Sequence, residues 1–284
     1  MIKMLKQLRS SKNSSVALRA LVYLAAVITV IVLLGIILYI LVKGVPHLSL
    51  DLFAWEYDST NVSLMPALIN TIVMTFFSLL IAVPLGIFSA IYLVEYTGRG
   101  NKFVKVVRMM AETLSGIPSI VYGLFGFLFF VTSVGWGLSL LSGAFTLSIM
   151  ILPLIMRTSE EALISVPDTY REGSFGLGAG KLRTVFKIVL PSAMPGILAG
   201  VILAIGRIVG ETAALIYTSG TVAQVPASLF DSARTLSVHM YAISNEGLHV
   251  DKAYATAVVL LVIVIGINAL SAYIAKRIVK ENVL

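Results

Sequence analysis

The sequence predicts an all-α, polytopic membrane protein with six transmembrane helices. Three observations carry this. Apolar residues make up 58% of the 284 residues and charged residues 12%, whereas a soluble domain carries about 25% charged residues. The charges are gathered between apolar runs long enough to cross a bilayer. Lys and Arg, finally, crowd into alternate gaps between those runs, as membrane topology requires. The net charge of +7 is therefore topological and gives no reason to expect nucleic acid. The absence of cysteine excludes a disulfide framework, a thiolate metal site and a Cys nucleophile.

In order along the chain, the basic stretch 1–19 precedes an apolar run, Ala20–Val42. That run is longer than a secretory h-region and no small-x-small cleavage site follows it, so it reads as a retained first span. Lys43–Ser63 is a short polar segment with Trp55 and Tyr57 as interface anchors. The second span is Met65–Val94, with Pro84 and Gly86 tolerated inside it. Glu95–Arg108 is a polar loop. Thr113–Met156 then runs 44 residues without a charge; as one helix it would be about 66 Å long, twice the hydrocarbon core. It must be two spans, Thr113–Thr132 and Leu138–Met156, broken at Gly135-Trp136-Gly137. Arg157–Leu190 is a long polar loop. A fifth span is expected from Pro191 to Ser219, a polar segment from Gly220 to Lys252, and a sixth span over Ala253–Ala275. With both termini in the cytoplasm, the cytoplasmic segments hold 17 of the 21 Lys and Arg residues.

Two stretches carry candidate chemistry. In the loop, Gly173, Gly176, Gly178, Gly180 and Lys181 invite a nucleotide-binding reading, but position 175 is Phe and position 182 is Leu where a P-loop needs Gly and Ser or Thr. The segment reads instead as short helices over Ser159–Ile164 and Asp168–Phe175, a glycine hinge, and an amphipathic helix Lys181–Val189. Leu182, Val185, Phe186 and Val189 share one face of that last helix, and Pro191 is expected to stop it. Composition leaves two readings of the loop open: a knob gripped by a soluble partner, or a solvated basic loop that fixes topology. In the fifth span, Arg207 and Glu211 lie four residues apart, and Arg207 is about 24 Å past Pro191 along an unbroken helix. Each charge costs about 2.5–3.5 kcal/mol at the centre of an inserting helix. They could be a structural ion pair, or an anion path in which the guanidinium holds oxyanion oxygens in a bidentate fork.

The loop pattern Glu172-Gly173-Ser174, three residues, Gly178, nine residues, Ile188-Val189-Leu190-Pro191 resembles the E-A-A-x3-G-x9-I-x-L-P loop of type-I ABC importer permeases. Every spacing holds, and only Gly173 and Ser174 depart, replacing the two alanines. The resemblance implies the MetI-like permease fold, with a core over 64–276, a first unit over 1–63, a tail over 277–284 and a coupling loop over 157–191. It implies that this loop docks on a cytoplasmic ATPase, with Glu172, Gly178, Ile188, Leu190 and Pro191 as its signature residues. Gly206–Gly220 and Leu114–Phe129 are similar to phosphate-specific permeases of the PstA type, and Ala213-Ala214 after Gly-Glu-Thr fits that type better than its PstC partner. That implies a subunit importing inorganic phosphate through a prokaryotic cell membrane. Its partners would be a PstC-like permease, a PstB-like ATPase dimer that uses ATP and Mg, and a PstS-like binding protein. The chain itself would bind no cofactor and catalyse no covalent step.

Arg207, Glu211 and Thr212 are the expected pathway residues, together with Ser115 and Ser119. Those two serines and Tyr122 fall at i, i+4 and i+7 of the expected third span and would share a face, although helix–helix hydrogen bonding explains such hydroxyls equally. His47, His239 and His249 lack ligand spacing, so no metal is expected. A permease for another oxyanion or the PstC-like partner, a secondary transporter that needs no ATPase, and a structural membrane scaffold, which would not explain Arg207 and Glu211, remain the alternatives at this level.

Overall fold

The computed structural model describes residues 2–98 and 100–281, with side chains for 18–98, 100–270 and 273. Of the basic stretch expected at 1–19, the side chains of 1–17 lie outside the described residues, as do those of the tail expected at 277–284 and Arg99. Every regular element among the described residues is helical. In chain order these are α1 (Ile2–Gly44), α2 (Met65–Ile91), α3 (Lys102–Ser115), α4 (Ser119–Gly126), α5 (Leu140–Ile164), α6 (Asp168–Gly176), α7 (Lys181–Thr184), α8 (Leu190–Val209), α9 (Ala213–Thr218), α10 (Leu236–Glu246) and α11 (Val250–Glu281). Five stretches are long and apolar enough to cross a membrane: Leu18–His47, Met65–Tyr96, Leu140–Ile164, Lys181–Val209 and Val250–Leu270. The pair Lys102–Ser115 and Ser119–Ser133, bent by 100°, completes the six if it counts as one span.

The centre of the fold is α5, whose apolar side chains Leu147, Met150, Ile151 and Ile155 are fully buried. It runs alongside α2 in the same direction, joined where Ser148 donates to the Ser78 carbonyl at 3.0 Å. On another side it packs against α8, with small residues at the contact. Lipid supplies no hydrophobic drive for helices to associate, so close approach over small residues takes its place. At Gly123 of α4 an added Cβ would stand 2.8 Å from the Ala214 Cα of α9, so those two short helices touch backbone to backbone. By contrast α1 buries none of its apolar window. It holds to α11 near one end, where the Tyr39 and Tyr254 rings meet edge to face at 5.9 Å.

The expected boundary between the third and fourth spans is present. Gly135 and Gly137 take φ of 77° and 67°, and Trp136 stacks on Phe130 at 5.4 Å. Ser139 then caps α5 by accepting from the Ser142 amide.

Three expectations require correction. The third span is not one helix over Thr113–Thr132. It breaks at Gly116-Ile117-Pro118, because Pro118 lacks an N–H and disfavours helical backbone at the residue before it. Ser115, Ser119 and Tyr122 therefore do not share a helix face. The fifth span does not start at Pro191 or reach Ser219. Its helix runs from Lys181 to Val209, and a π turn at Val185–Val189 carries it into Pro191, relaxing the hydrogen-bond ladder where the proline has no donor. Finally, the apolar residues of Lys181–Val189 divide. Val185 and Val189 are buried, whereas Leu182 and Phe186 are exposed.

Candidate functional site

The glycine-hinged loop is a compact knob. Asp168–Gly176 forms a helix of two and a half turns, and Gly178 reverses the chain at φ 82°, a conformation that costs an L side chain about 1–2 kcal/mol. Buried hydroxyls of Ser174 and Thr184 meet at 2.8 Å and fasten the two arms. The tip turns apolar residues outward: Leu177 is 91% exposed, and Phe175, Leu182 and Phe186 are exposed beside it. Glu172 is exposed and makes no polar contact among the described residues. Ile188 and Leu190 are half-buried and Pro191 exposed at the root of the knob.

Sequence reasoning missed what holds this knob to the bundle. Arg171, next to Glu172, donates from Nη2 to Glu95 at 2.7 Å and from Nε to the same carboxylate at 3.1 Å. It also donates to the carbonyls of Leu163 and Val166, at 2.9 and 2.8 Å. Those carbonyls sit at the C-terminus of α5, where helical partners run out. Both charged side chains are largely withdrawn from solvent, 15% exposed for Arg171 and 8% for Glu95. One guanidinium thus joins the knob to the end of the second span and the end of the fourth. A second pair, Arg108 with buried Glu160, ties α3 to α5 nearby. Glu112 is in the last turn of α3 and reaches Arg157 at 3.6 Å. The charges were visible in the sequence, but nothing in their spacing, 76 residues for Arg171 and Glu95, announces the contact.

At the far end of α8, Arg207 and Glu211 are not the i,i+4 helical pair their spacing implied. The helix ends at Val209, and Gly210 turns the chain out of it. The Glu211 carboxylate is buried and accepts from the Ala214 amide at 3.1 Å, capping α9. Its backbone carbonyl accepts from Ser237 at 2.5 Å. Arg207 is half-buried and makes no ion pair among the described residues. It lies within electrostatic reach of the Tyr122 phenol of α4, whose hydroxyl donates back across the break in the third span to the Leu114 carbonyl at 2.8 Å. Ile117, inside that break, packs in the same cluster as Ile208. Beside Arg207, Ala199, Leu203, Gly206 and Gly210 leave one face of α8 largely uncovered.

Of the other expected pathway residues, Thr212 lines a cavity of about 610 Å³ with Ile120, Tyr217, Tyr241, Ser244 and Tyr254. Ser119 opens α4, one turn before Tyr122. Ser115 closes α3 and donates to the Glu112 carbonyl at 2.9 Å.

Another withdrawn arginine lies near α10. Arg234 is 8% exposed, donates to the Thr221 carbonyl at 2.7 Å and stacks over Tyr57 at 5.6 Å. Its Nη1 is 3.3 Å from Nδ1 of fully buried His239. Burial, with the nearby Arg234 charge added, lowers the His239 pKa to about 4.

Comparison with known proteins agrees with this architecture. Residues 82–280 match the family described as binding-protein-dependent transport system inner membrane component. The chain is 34% identical over 281 residues to the probable ABC transporter permease protein YqgI of Bacillus subtilis, covering 91% of this chain and 94% of that one. It is 36% identical over 209 residues to the phosphate transport system permease protein PstA of Mycobacterium leprae, covering 72% and 68%. Against PstA of Pasteurella multocida it is 40% identical over 190 residues, covering 65% and 66%. Among solved structures it resembles a chain of a bacterial alginate ABC transporter, with a TM-score of 0.67, 17% identity, and 92% and 94% of the two chains covered. A chain of the MetNI methionine ABC transporter gives 0.59 at 23% identity, covering 76% and 94%.

Proposed function

The chain belongs to the inner-membrane components of binding-protein-dependent transport systems, and from that premise we propose that it is the PstA-like permease of an importer that moves inorganic phosphate into the cytoplasm. The observation that carries the anion reading is Arg207. It is a withdrawn guanidinium with no carboxylate partner among the described residues, beside an uncovered face of α8. A half-buried positive charge with no counter-charge is costly unless an anion or water reaches it. A guanidinium offers phosphate oxygens two parallel donors. Glu211 is engaged in capping α9 and leaves the guanidinium free for cargo. The cargo itself rests on similarity to phosphate permeases, the Pasteurella PstA among them.

The uncovered face of α8 would meet a second, PstC-like permease, so that the path runs between two chains. ATP, with Mg, is consumed by a separate PstB-like ATPase dimer, and a PstS-like binding protein delivers phosphate from outside. The knob at Asp168–Gly176 is the docking element on the ATPase, its exposed Phe175 and Leu177 entering an apolar groove with Glu172 and Gly178 setting its shape. Movement of the knob reaches α8 directly through the continuous helix from Lys181, and reaches the second and fourth spans through Arg171. The excess of Lys and Arg in alternate segments supports a cytoplasmic position for both termini and the knob, and the similarity to PstA permeases supports a prokaryotic cell membrane. The test is ATP-driven phosphate uptake into proteoliposomes that hold the assembled importer. Arg207→Gln is expected to lower uptake roughly a hundredfold, as loss of a bidentate charged contact would, with assembly and ATP binding retained. Undiminished uptake by that variant would remove Arg207 from the path.

A further inference from the structure

We propose that α3 is an interfacial helix that lies in the cytoplasmic leaflet and takes anionic phospholipid headgroups at Lys102 and Lys105. Three observations meet in it. First, the helix is divided into three sectors. Val104 is buried in the bundle, with Val107 and Ala111 packed against the same cluster. Lys105, Arg108 and Glu112 form a polar sector. Phe103, Val106, Met110 and Leu114, spaced at three, four and four residues, form an apolar stripe that is exposed along its whole length. A helix that buried only one face in its own protein and met water elsewhere would have no reason for that stripe.

Second, the helix stands at 100° to the limb that follows it, Ser119–Ser133. With that limb crossing the bilayer, α3 lies near the membrane plane. This is the disposition of an amphipathic helix whose apolar side enters the acyl boundary. Its polar tethers, Arg108 to Glu160 and Glu112 to Arg157, fix the roll that turns the stripe away from the bundle.

Third, Lys102 and Lys105 make no ion pair among the described residues, whereas Arg108 in the same polar sector does. They flank the stripe within the first turn of the helix, where their stems can follow the apolar surface while the ammonium groups reach phosphate oxygens. Charge complementarity therefore selects an anionic lipid surface over the apolar face of a second permease as the occupant.

The inference uses the cytoplasmic placement proposed above, but its test reads lipid exposure and no transport, so failure of the phosphate reading leaves it standing. The chain has no cysteine, which makes single-cysteine spin labelling direct. Labels at Phe103→Cys, Val106→Cys and Met110→Cys, and at the exposed positions Asn245→Cys and Leu248→Cys as controls, are placed in the assembled importer in vesicles of phosphatidylglycerol and phosphatidylethanolamine. The expected result is high accessibility to oxygen and low accessibility to a water-soluble nickel complex on the stripe, reversed at the controls. In native mass spectrometry, Lys102→Gln and Lys105→Gln are each expected to weaken retention of phosphatidylglycerol about fivefold. Stripe labels shielded from both reagents would assign the face to a protein partner, and stripe labels open to nickel would assign it to water. Retention unchanged in the double variant would remove the headgroup site. Each of these overturns the proposal.

Discussion

At the scale of single residues, the two arginines that define the site differ in their partners. Arg207 keeps its guanidinium clear of carboxylates, whereas Arg171 spends its donors on Glu95 and on the spare carbonyls at the end of α5. Removing one partner of such a withdrawn pair strands the other, at a cost of about 3–5 kcal/mol. Arg171→Gln is therefore expected to lower thermal stability and to raise the ATP hydrolysed per phosphate transported, measured together in proteoliposomes. The exchange Glu95→Arg with Arg171→Glu should recover part of the stability and little of the coupling, because the α5 carbonyls lose their donor. His239 gives a pH prediction. Its pKa falls from 6.5 unfolded to about 4 folded, so the unfolded chain binds the extra proton as pH drops. Its stabilising contribution, about 3 kcal/mol at most, is complete above pH 6.5 and is lost as pH falls towards 4. His239→Gln should flatten the fall in melting temperature over that window.

At the scale of elements, breaks in the helices place the site. Pro118 turns the third span, Gly210 ends α8, and the π turn before Pro191 lets one helix run from the knob into the membrane. Backbone contact between α4 and α9 depends on Gly123, so Gly123→Val is expected to destabilise by roughly 1–3 kcal/mol, read as a lower melting temperature in detergent. Gly178→Val, forced to positive φ, should cost about 1–2 kcal/mol and reduce ATPase association in pull-down, while leaving the bundle folded. The break at Pro118 was legible in the sequence as a residue but not as a 100° bend. Prolines within α2 and α5 are carried without comparable breaks, at Pro84 and Pro153, because packing against neighbours holds those helices together.

At the scale of the whole molecule, the two ends differ in kind. One carries the knob, the withdrawn pair of Arg171 and Glu95, and the exposed Arg108 bound to buried Glu160. The other carries Arg234, His239 and the clasp in which Lys252 donates to the Thr60 carbonyl at 2.6 Å. The proposed topology predicts that Leu248→Cys, 80% exposed in the native residue, is modified by an impermeant maleimide added outside intact cells. Leu177→Cys should be modified only in inverted vesicles. Labelling of both from the same side would contradict six spans with both ends inside.

The sequence by itself determined the class of molecule, the first, second and sixth membrane crossings to within a few residues, the presence but not the limits of the fourth and fifth, and the hinged loop with its Glu172 and Gly178. Each of these follows from local information: apolar run length, charge placement and fixed spacing along one segment. It could not decide whether Arg207 and Glu211 pair, because that depends on whether the helix between them continues, and Gly210 permits either course. Nor could it bring Arg171 to Glu95, since the enthalpy of that pair is realised only where two distant spans end side by side. Tertiary structure decided these points for one physical reason. A withdrawn charge takes its partner from whatever the packing brings within hydrogen-bonding distance, and sequence separation does not enter that choice.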